Sequence, residues 1–288
     1  MERIVLGVDA GSGEQALEWV IRRVVNRPAH VRLIRAFDLV DADPDEEDAR
    51  LQHAKAEILR RSSSTEVESI LVTEAIPAAL LSASEDADLL VIGARRHRRF
   101  ASALTGSLPL SLAARSSCVT VIVPDDWSPA MHRTVVVGVA GDHTDDRAML
   151  FAAREAQAAG AELEAVHAWT ITVPTMASPD MVIEPADERA LHRGILSRAL
   201  ETIRAAYPKV RLRGLLEQRL PSTVLTEHAA RGEMLVLGSH RWGVLTGMVL
   251  GSTARAVLPA AAAPLCIVPP SVPQHSGGQS TQPESVSA

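Results

Sequence analysis

The sequence predicts two tandem α/β domains, each a doubly wound, Rossmann-like parallel sheet covered by helices. Short Val/Ile/Leu-rich runs alternate with longer helix-like stretches along the chain, the pattern of successive βαβ units. The apolar runs lack strict polar alternation, as expected of parallel strands buried on both faces. The pattern also occurs twice: "DLLVIGARR" at 88–96 matches "EMLVLGSHR" at 233–241, an offset of 145. Two repeats of that length are two similar domains rather than units of a solenoid.

In the first domain, strands are expected over 3–8 ("RIVLGV"), 31–37 ("VRLIRAF"), 67–72, 88–93 and 118–123. Helical stretches fall between them near 14–26, 46–61, 77–85 and 106–114. The second domain follows by correspondence. "IVLGVDA" (4–10) pairs with "VVVGVAG" (135–141), "IRAF" (34–37) with "VHAW" (166–169) and "IPAALL" (76–81) with "LPSTVL" (220–225). Gly106-Ser107 recurs as Gly251-Ser252 and Pro124 as Pro269, and the offset grows from 131 to 145 through small insertions. The expected organisation is a first domain over 1–125, a linker over 126–132 and a second domain over 133–270. The Pro/Ser/Gly/Gln-rich stretch 271–288 is too polar to bury and is expected to be disordered.

With 288 residues and 47% hydrophobic content, the chain can bury a core in each domain. A net charge of −6 and only 3% aromatic residues argue against nucleic acid as a partner. Cys118 and Cys266 stand alone in β-like runs, which suits buried side chains rather than a disulfide framework or a metal site. The N-terminus does not read as a secretion signal, and the most apolar stretch, "AVLPAAAAPLCIVPP", is short and broken by prolines. The expectation is therefore a cytoplasmic protein without a membrane partner. The acidic run "DADPDEED" (41–48) lacks the residues of a calcium loop at Glu46 and Gln52, and reads as the solvated start of a helix.

Doubly wound sheets bind ligands beyond the carboxyl ends of their strands, where strand order reverses. Gly7–Asp9 and Gly93–Arg99 are placed at such ends. No phosphate-binding GxxxxGK[ST], zinc-binding HExxH or CxxC, or nucleophile-elbow GxSxG occurs, and His53, His143, His192 and His228 read as surface or helix residues. No residue is assigned a catalytic role, and none a metal. "GSGEQA" (11–16) fits a dinucleotide fingerprint through Gly11, Gly13 and Ala16, with Asp38 placed for a ribose. The repeat has "GDHTDD" there and no glycine pair.

A second signal appears in both halves. Gly93 and Gly106 are thirteen residues apart, as are Gly238 and Gly251. Each first glycine ends a strand; each second precedes a hydroxyl, Ser107 or Ser252, and a helix. Unpaired N–H groups and the positive dipole end of a helix suit a phosphate, and glycine lets the ligand approach the backbone closely. The same features would also fit ordinary strand and helix ends.

These residues resemble the universal stress protein family in its tandem two-domain form. The resemblance rests on "VLGVD", "VVVGVAG", "VHAW" and the G-x2-G-x9-G-[ST] loop, and covers the chain to about residue 270. It implies a five-stranded parallel sheet in each domain, with ATP, with or without Mg²⁺, as the cofactor of nucleotide-binding members. It also implies domain pairing through the last strands, "TVIV" (120–123) and "LCIV" (265–268), within the chain or in a homodimer. Carried over by position, the nucleotide site would use Gly7, Asp9, Gly93, Gly106 and Ser107 in the first domain. Gly138, Gly238, Gly251 and Ser252 would be the counterparts in the second. Two departures stand out: the family's middle loop glycine is Arg96 and Arg241, and the counterpart of Asp9 is Ala140. Gly243 restores a glycine near the second loop, and either arginine can grip a phosphate bidentately. The resemblance implies an adenine-nucleotide-binding stress-response regulator. No residue is dedicated to positioning a water or Mg²⁺, so the expectation is a non-enzyme, with slow ATP hydrolysis left open. The retained Asp9 favours binding in the N-terminal domain. A nucleotide-free interaction module and, through Gly11-Gly13-Ala16, an NAD-dependent enzyme are the alternatives.

Overall fold

Strand β1 (Glu2–Gly7) lies in the interior of a ten-stranded sheet, paired in parallel with β2 (Ala29–Ala36) on one side and β4 (Leu89–Ala94) on the other. The computed structural model describes residues 1–9, 13–25, 27–37, 43–95, 108–129, 133–141, 146–170, 185–239 and 250–270. Helix α1 (Gly13–Val25) leads from β1 to β2, and α2 (Pro44–Arg61) from β2 to β3 (Glu66–Val72). Helix α3 (Ile76–Ser84) leads to β4, and α4 (Leu108–Arg115) to β5 (Val119–Pro124). The second half repeats the sequence of elements as β6 (Thr134–Gly138), α5 (Asp146–Ala159), β7 (Glu162–Ala168) and α6 (Pro185–Ala206), followed by β8 (Arg211–Glu217) and α7 (Pro221–Ala229). It closes with β9 (Met234–Gly238), α8 (Ser252–Val257) and β10 (Leu265–Val268). Strand order across the sheet is β3-β2-β1-β4-β5-β10-β9-β6-β7-β8.

Alternate strand residues feed two cores. Ile4 and Leu6 pack with α1, α2, α5 and α6, whereas Val5 packs on the other face with α3, α4, α7 and α8. Both faces are covered, which is why the strands read as continuous apolar runs. Strand β2 starts at Ala29, earlier than its apolar run suggests, because Glu2 pairs with Ala29, whose small side chain is fully buried. Trp127, inside the stretch expected to be a linker, is buried in the larger core. Helix α2 begins at Pro44 with Asp43 as its cap, the carboxylate accepting from the Asp45 amide at 3.0 Å. The stretch 271–288 lies outside the described residues.

The halves join by an antiparallel pairing of β5 and β10, with Leu265 opposite Ile122, Cys266 opposite Val121 and Ile267 opposite Thr120. The other strand pairs of the described residues are parallel. With β4 and β9 on their other sides, neither last strand keeps an open edge for a second copy. Beneath the seam, Arg23 of α1 meets Glu155 of α5 at 2.8 Å and also forks onto Glu2 at 2.7 Å. Burial alone would raise the Glu155 carboxyl. The hydrogen bond and charge of Arg23, with Arg27 and Arg154, overcome that and hold it at about 2. Arg23 and Glu155 occupy matching places in α1 and α5, since Ala16, Trp19 and Val20 are buried as Ala148, Phe151 and Ala152 are. Pairing of two like halves would therefore bring two arginines, or two glutamates, together in a buried place.

Candidate functional site

Strand order reverses between β1 and β4, the kind of place at which doubly wound sheets form a crevice beyond their carboxyl ends. Gly7 ends β1, Asp9 follows it, Gly93 lies near the end of β4, and Arg95 is just beyond. Next to this point a cavity of about 530 Å³ opens between β1, the start of α1 and α2. Its lining includes apolar Val8, Leu17 and Ala54, and polar Asp9, Arg50 and His53.

A network of charges builds one wall. Arg35, next to the end of β2, donates Nη1–H to the Val8 carbonyl at 2.9 Å and lies 3.4 Å from Asp9 Oδ1. Its Nε–H donates to Glu47 in the first turn of α2, and Glu47 also accepts from Arg50. The hydrogen bond from Arg35 holds the Glu47 carboxyl below the usual range, against the opposing effect of burial. Arg95, the first residue of the basic run 95–99, places Nη2 3.8 Å from the other oxygen of Asp9. Asp9 is thus flanked by two guanidiniums while its side chain keeps 56% of its exposure. Glu47 differs from the sequence expectation: within a run read as solvated it is only 4% exposed, because Arg35 draws it under α2.

The second half uses the same frame with other chemistry. The burial of Leu51, Ala54 and Ile58 in α2 recurs as Leu196, Ala199 and Ile203 in α6, so Glu47 corresponds to His192 and Arg50 to Ile195. Arg35 corresponds to His167 through the "IRAF"/"VHAW" match. His167 Nδ1 lies 2.7 Å from the Val139 carbonyl, the counterpart of Val8. A carbonyl only accepts, so Nδ1 carries the hydrogen and Nε2 accepts from His192 Nδ1–H at 2.8 Å. His192 in turn stacks on Trp169, with centroids 4.2 Å apart and planes 17° from parallel. Gly141 has φ +96, and a Cβ there would lie 2.6 Å from Ile195 Cγ2. Ile195, at the position of Arg50, thus packs an apolar side chain close to the Gly141 backbone.

The remaining sequence-derived site residues divide. Gly138 ends β6, where an added Cβ would press on the Leu237 side chain at 2.6 Å, so packing is a sufficient reason for glycine. Gly238 ends β9 beside Val268, Gly251 caps the six-residue helix α8, and Ser252 is its first residue. Gly13 opens α1 and Ala16 is buried within it. Arg96, Gly106, Ser107, Arg241, Gly243, Gly11 and Asp38 lie outside the described residues. Sequence reading passed over Arg35, Glu47 and Arg50. Extending the repeat match from the strands into α2 and α6 would have exposed all three, because there the two halves differ in charge. Among the described residues no group of three or more metal-ligating side chains forms, and no helix is long and apolar enough to cross a membrane.

Fold and site together define a class: paired, doubly wound α/β domains joined edge to edge, each with a reversal of strand order next to its first strand. The model of the universal stress protein family matches residues 1–124 and again 131–269, and the chain belongs to that family, with two such domains in tandem. A universal stress protein of Mycolicibacterium smegmatis is 28% identical over 288 residues, covering 93% of this chain and 97% of the relative. One of Mycobacterium tuberculosis is 31% identical over 204 residues, 70% of this chain and 68% of the relative. Among solved structures, a universal stress protein from Archaeoglobus fulgidus superposes with a TM-score of 0.67 at 17% identity, covering 93% of this chain and 98% of that one. The last likeness concerns the fold alone.

Proposed function

We propose that this universal stress protein is a cytoplasmic, non-enzymatic regulator that binds an adenine nucleotide, with ATP held in the N-terminal half. One observation carries the reading: the first half opens a charged cavity beside Asp9 and Arg50, whereas Ala140 and Ile195 stand at those two positions in the second half. Val8, Leu17 and Ala54 offer apolar surface to a purine, and Asp9 offers an acceptor to a ribose hydroxyl. The Gly93–Ser107 loop, with its arginines, is the place for the phosphates. The dinucleotide alternative gains no support at Gly13, where an added Cβ meets nothing within 4 Å and glycine is not required. A second reading, a nucleotide-free interaction module, draws on the arginines that flank Asp9 and so compete for its acceptors.

A thermal-unfolding panel over ATP, ADP, AMP, cyclic AMP and NAD, with and without Mg²⁺, separates these readings. A ligand at a hundred times its Kd stabilises the folded state by about 2.7 kcal/mol. ATP is expected to raise the midpoint and Asp9→Ala to weaken binding by about tenfold, the scale of one charge-assisted hydrogen bond. No shift with any nucleotide favours the interaction module, and a shift with NAD alone favours the dinucleotide enzyme.

A further inference from the structure

The two halves of this chain provide an internal comparison at four positions. Asp9, Arg35, Glu47 and Arg50 in the first half stand where Ala140, His167, His192 and Ile195 stand in the second. The frame needs one bond there: a side chain near the end of the second strand must satisfy the carbonyl just after the first. Arg35 does this for Val8, and His167 for Val139. The second half meets the need with a histidine pair and no carboxylate, so the fold does not require a buried ion pair there. A buried Arg–Glu pair is costly to desolvate and is weak evidence for a purely stabilising role.

We propose that Arg35 and Glu47 are positioning residues of the N-terminal cleft, holding Asp9 and Arg50 in place as its two charged walls. Glu47 and the Val8 carbonyl fix the planar Arg35 guanidinium from two sides, which leaves Nη1 directed at Asp9. The same Glu47 carboxylate anchors Arg50 at the cavity wall. In the second half the carboxylate, its orienting arginine, the bridging glutamate and the anchored arginine are all replaced. A set that changes together, while the frame bond survives, acts as one unit serving the cleft.

The test transplants the second half's pair: Arg35→His with Glu47→His, which preserves a partner for the Val8 carbonyl, alongside the single Arg35→Gln. Two measurements are made on the full chain. In the ligand-free protein, NMR follows the Asp9 carboxylate carbon and the Arg50 Nε–H. Both signals are expected to shift in the transplant while the unfolding midpoint in denaturant stays near the wild-type value. Unchanged signals overturn the proposal. The second measurement, which rests on the nucleotide reading, is calorimetric ATP affinity in the wild-type and Asp9→Ala backgrounds. Arg35→Gln is expected to weaken ATP by about tenfold in the first background and hardly at all in the second, the non-additivity of coupled residues. Equal losses in both backgrounds, as from a general structural fault, overturn the proposal. If the wild-type protein takes up no ATP, the nucleotide reading fails by itself, and the NMR shifts alone support or overturn the positioning role.

Discussion

His167 illustrates how one buried side chain ties this structure to pH. It is 3% exposed, bonded to the Val139 carbonyl and accepting from His192, so its neutral form suits the fold. Burial lowers its affinity for a proton; the carbonyl bond opposes this, and His192 adds to it. A histidine with a depressed folded pKa is protonated more readily in the unfolded chain. Its contribution is therefore full above the ordinary histidine value of about 6.5 and is lost as pH falls below it. Denaturant unfolding between pH 7.5 and 5.5 should show falling stability, and His167→Gln should flatten that slope. An unchanged slope would place the titration elsewhere. Asp9 is the contrasting residue, half in solvent and flanked by Arg35 and Arg95. The basic run 95–99 in a chain of net charge −6 thus begins with a residue directed at the site carboxylate.

At the scale of elements, α1 and α5 decide how the halves meet. Arg23 of α1 is buried against Glu155 of α5, and the two residues hold matching places in their helices. The charge pattern favours unlike halves and penalises like ones, the usual route to pairing specificity. Glu155→Gln should lower stability by on the order of 3 kcal/mol near neutral pH, the scale for breaking one side of a buried pair. Glu2 still holds Arg23, so the variant should fold. The Glu155 carboxyl sits at about 2 in the folded state. Its contribution is present above about 4.5, the ordinary carboxylate value, and fades as pH falls towards 2. The difference between variant and wild type should shrink over that interval in acid unfolding curves.

For the whole molecule, the seam makes one ten-stranded sheet with two continuous helical layers, rather than two tethered globules. Cys266 lies at the centre of that seam, fully buried, and burial pushes its thiol up to about 12. Cys118 sits just before β5, also buried and also raised. A thiolate reagent should therefore label neither cysteine readily in the folded protein. If the halves open as one unit, the free energy of opening read from Cys266 labelling should match the global unfolding value. A much smaller opening energy at Cys266 would show that the seam parts while each half stays folded.

Fold class, doubling and element order are written in local stretches of the chain. These follow from local information: apolar runs of strand length, helix-like stretches between them, and glycines such as Gly7 and Gly93 at strand ends. The ends of β1 and β4, beside which doubly wound sheets bind ligands, are readable from sequence as well. Element limits were legible to within a few residues, with Ala29 and Trp127 missed because their partners lie in distant segments. Which charges are brought beside Asp9 depends on how distant segments pack. Arg35 and Glu47 are 12 residues apart, on a strand and in an acidic run, and nothing local distinguishes Glu47 from its solvated neighbours Asp45 and Glu46. Burial is a property of the assembled layers: α2 laid on the sheet turns Glu47 inward, Arg35 meets it, and the pair becomes the support of Asp9. The same holds for the seam, where Arg23 and Glu155 lose their solvent only when the two halves are joined.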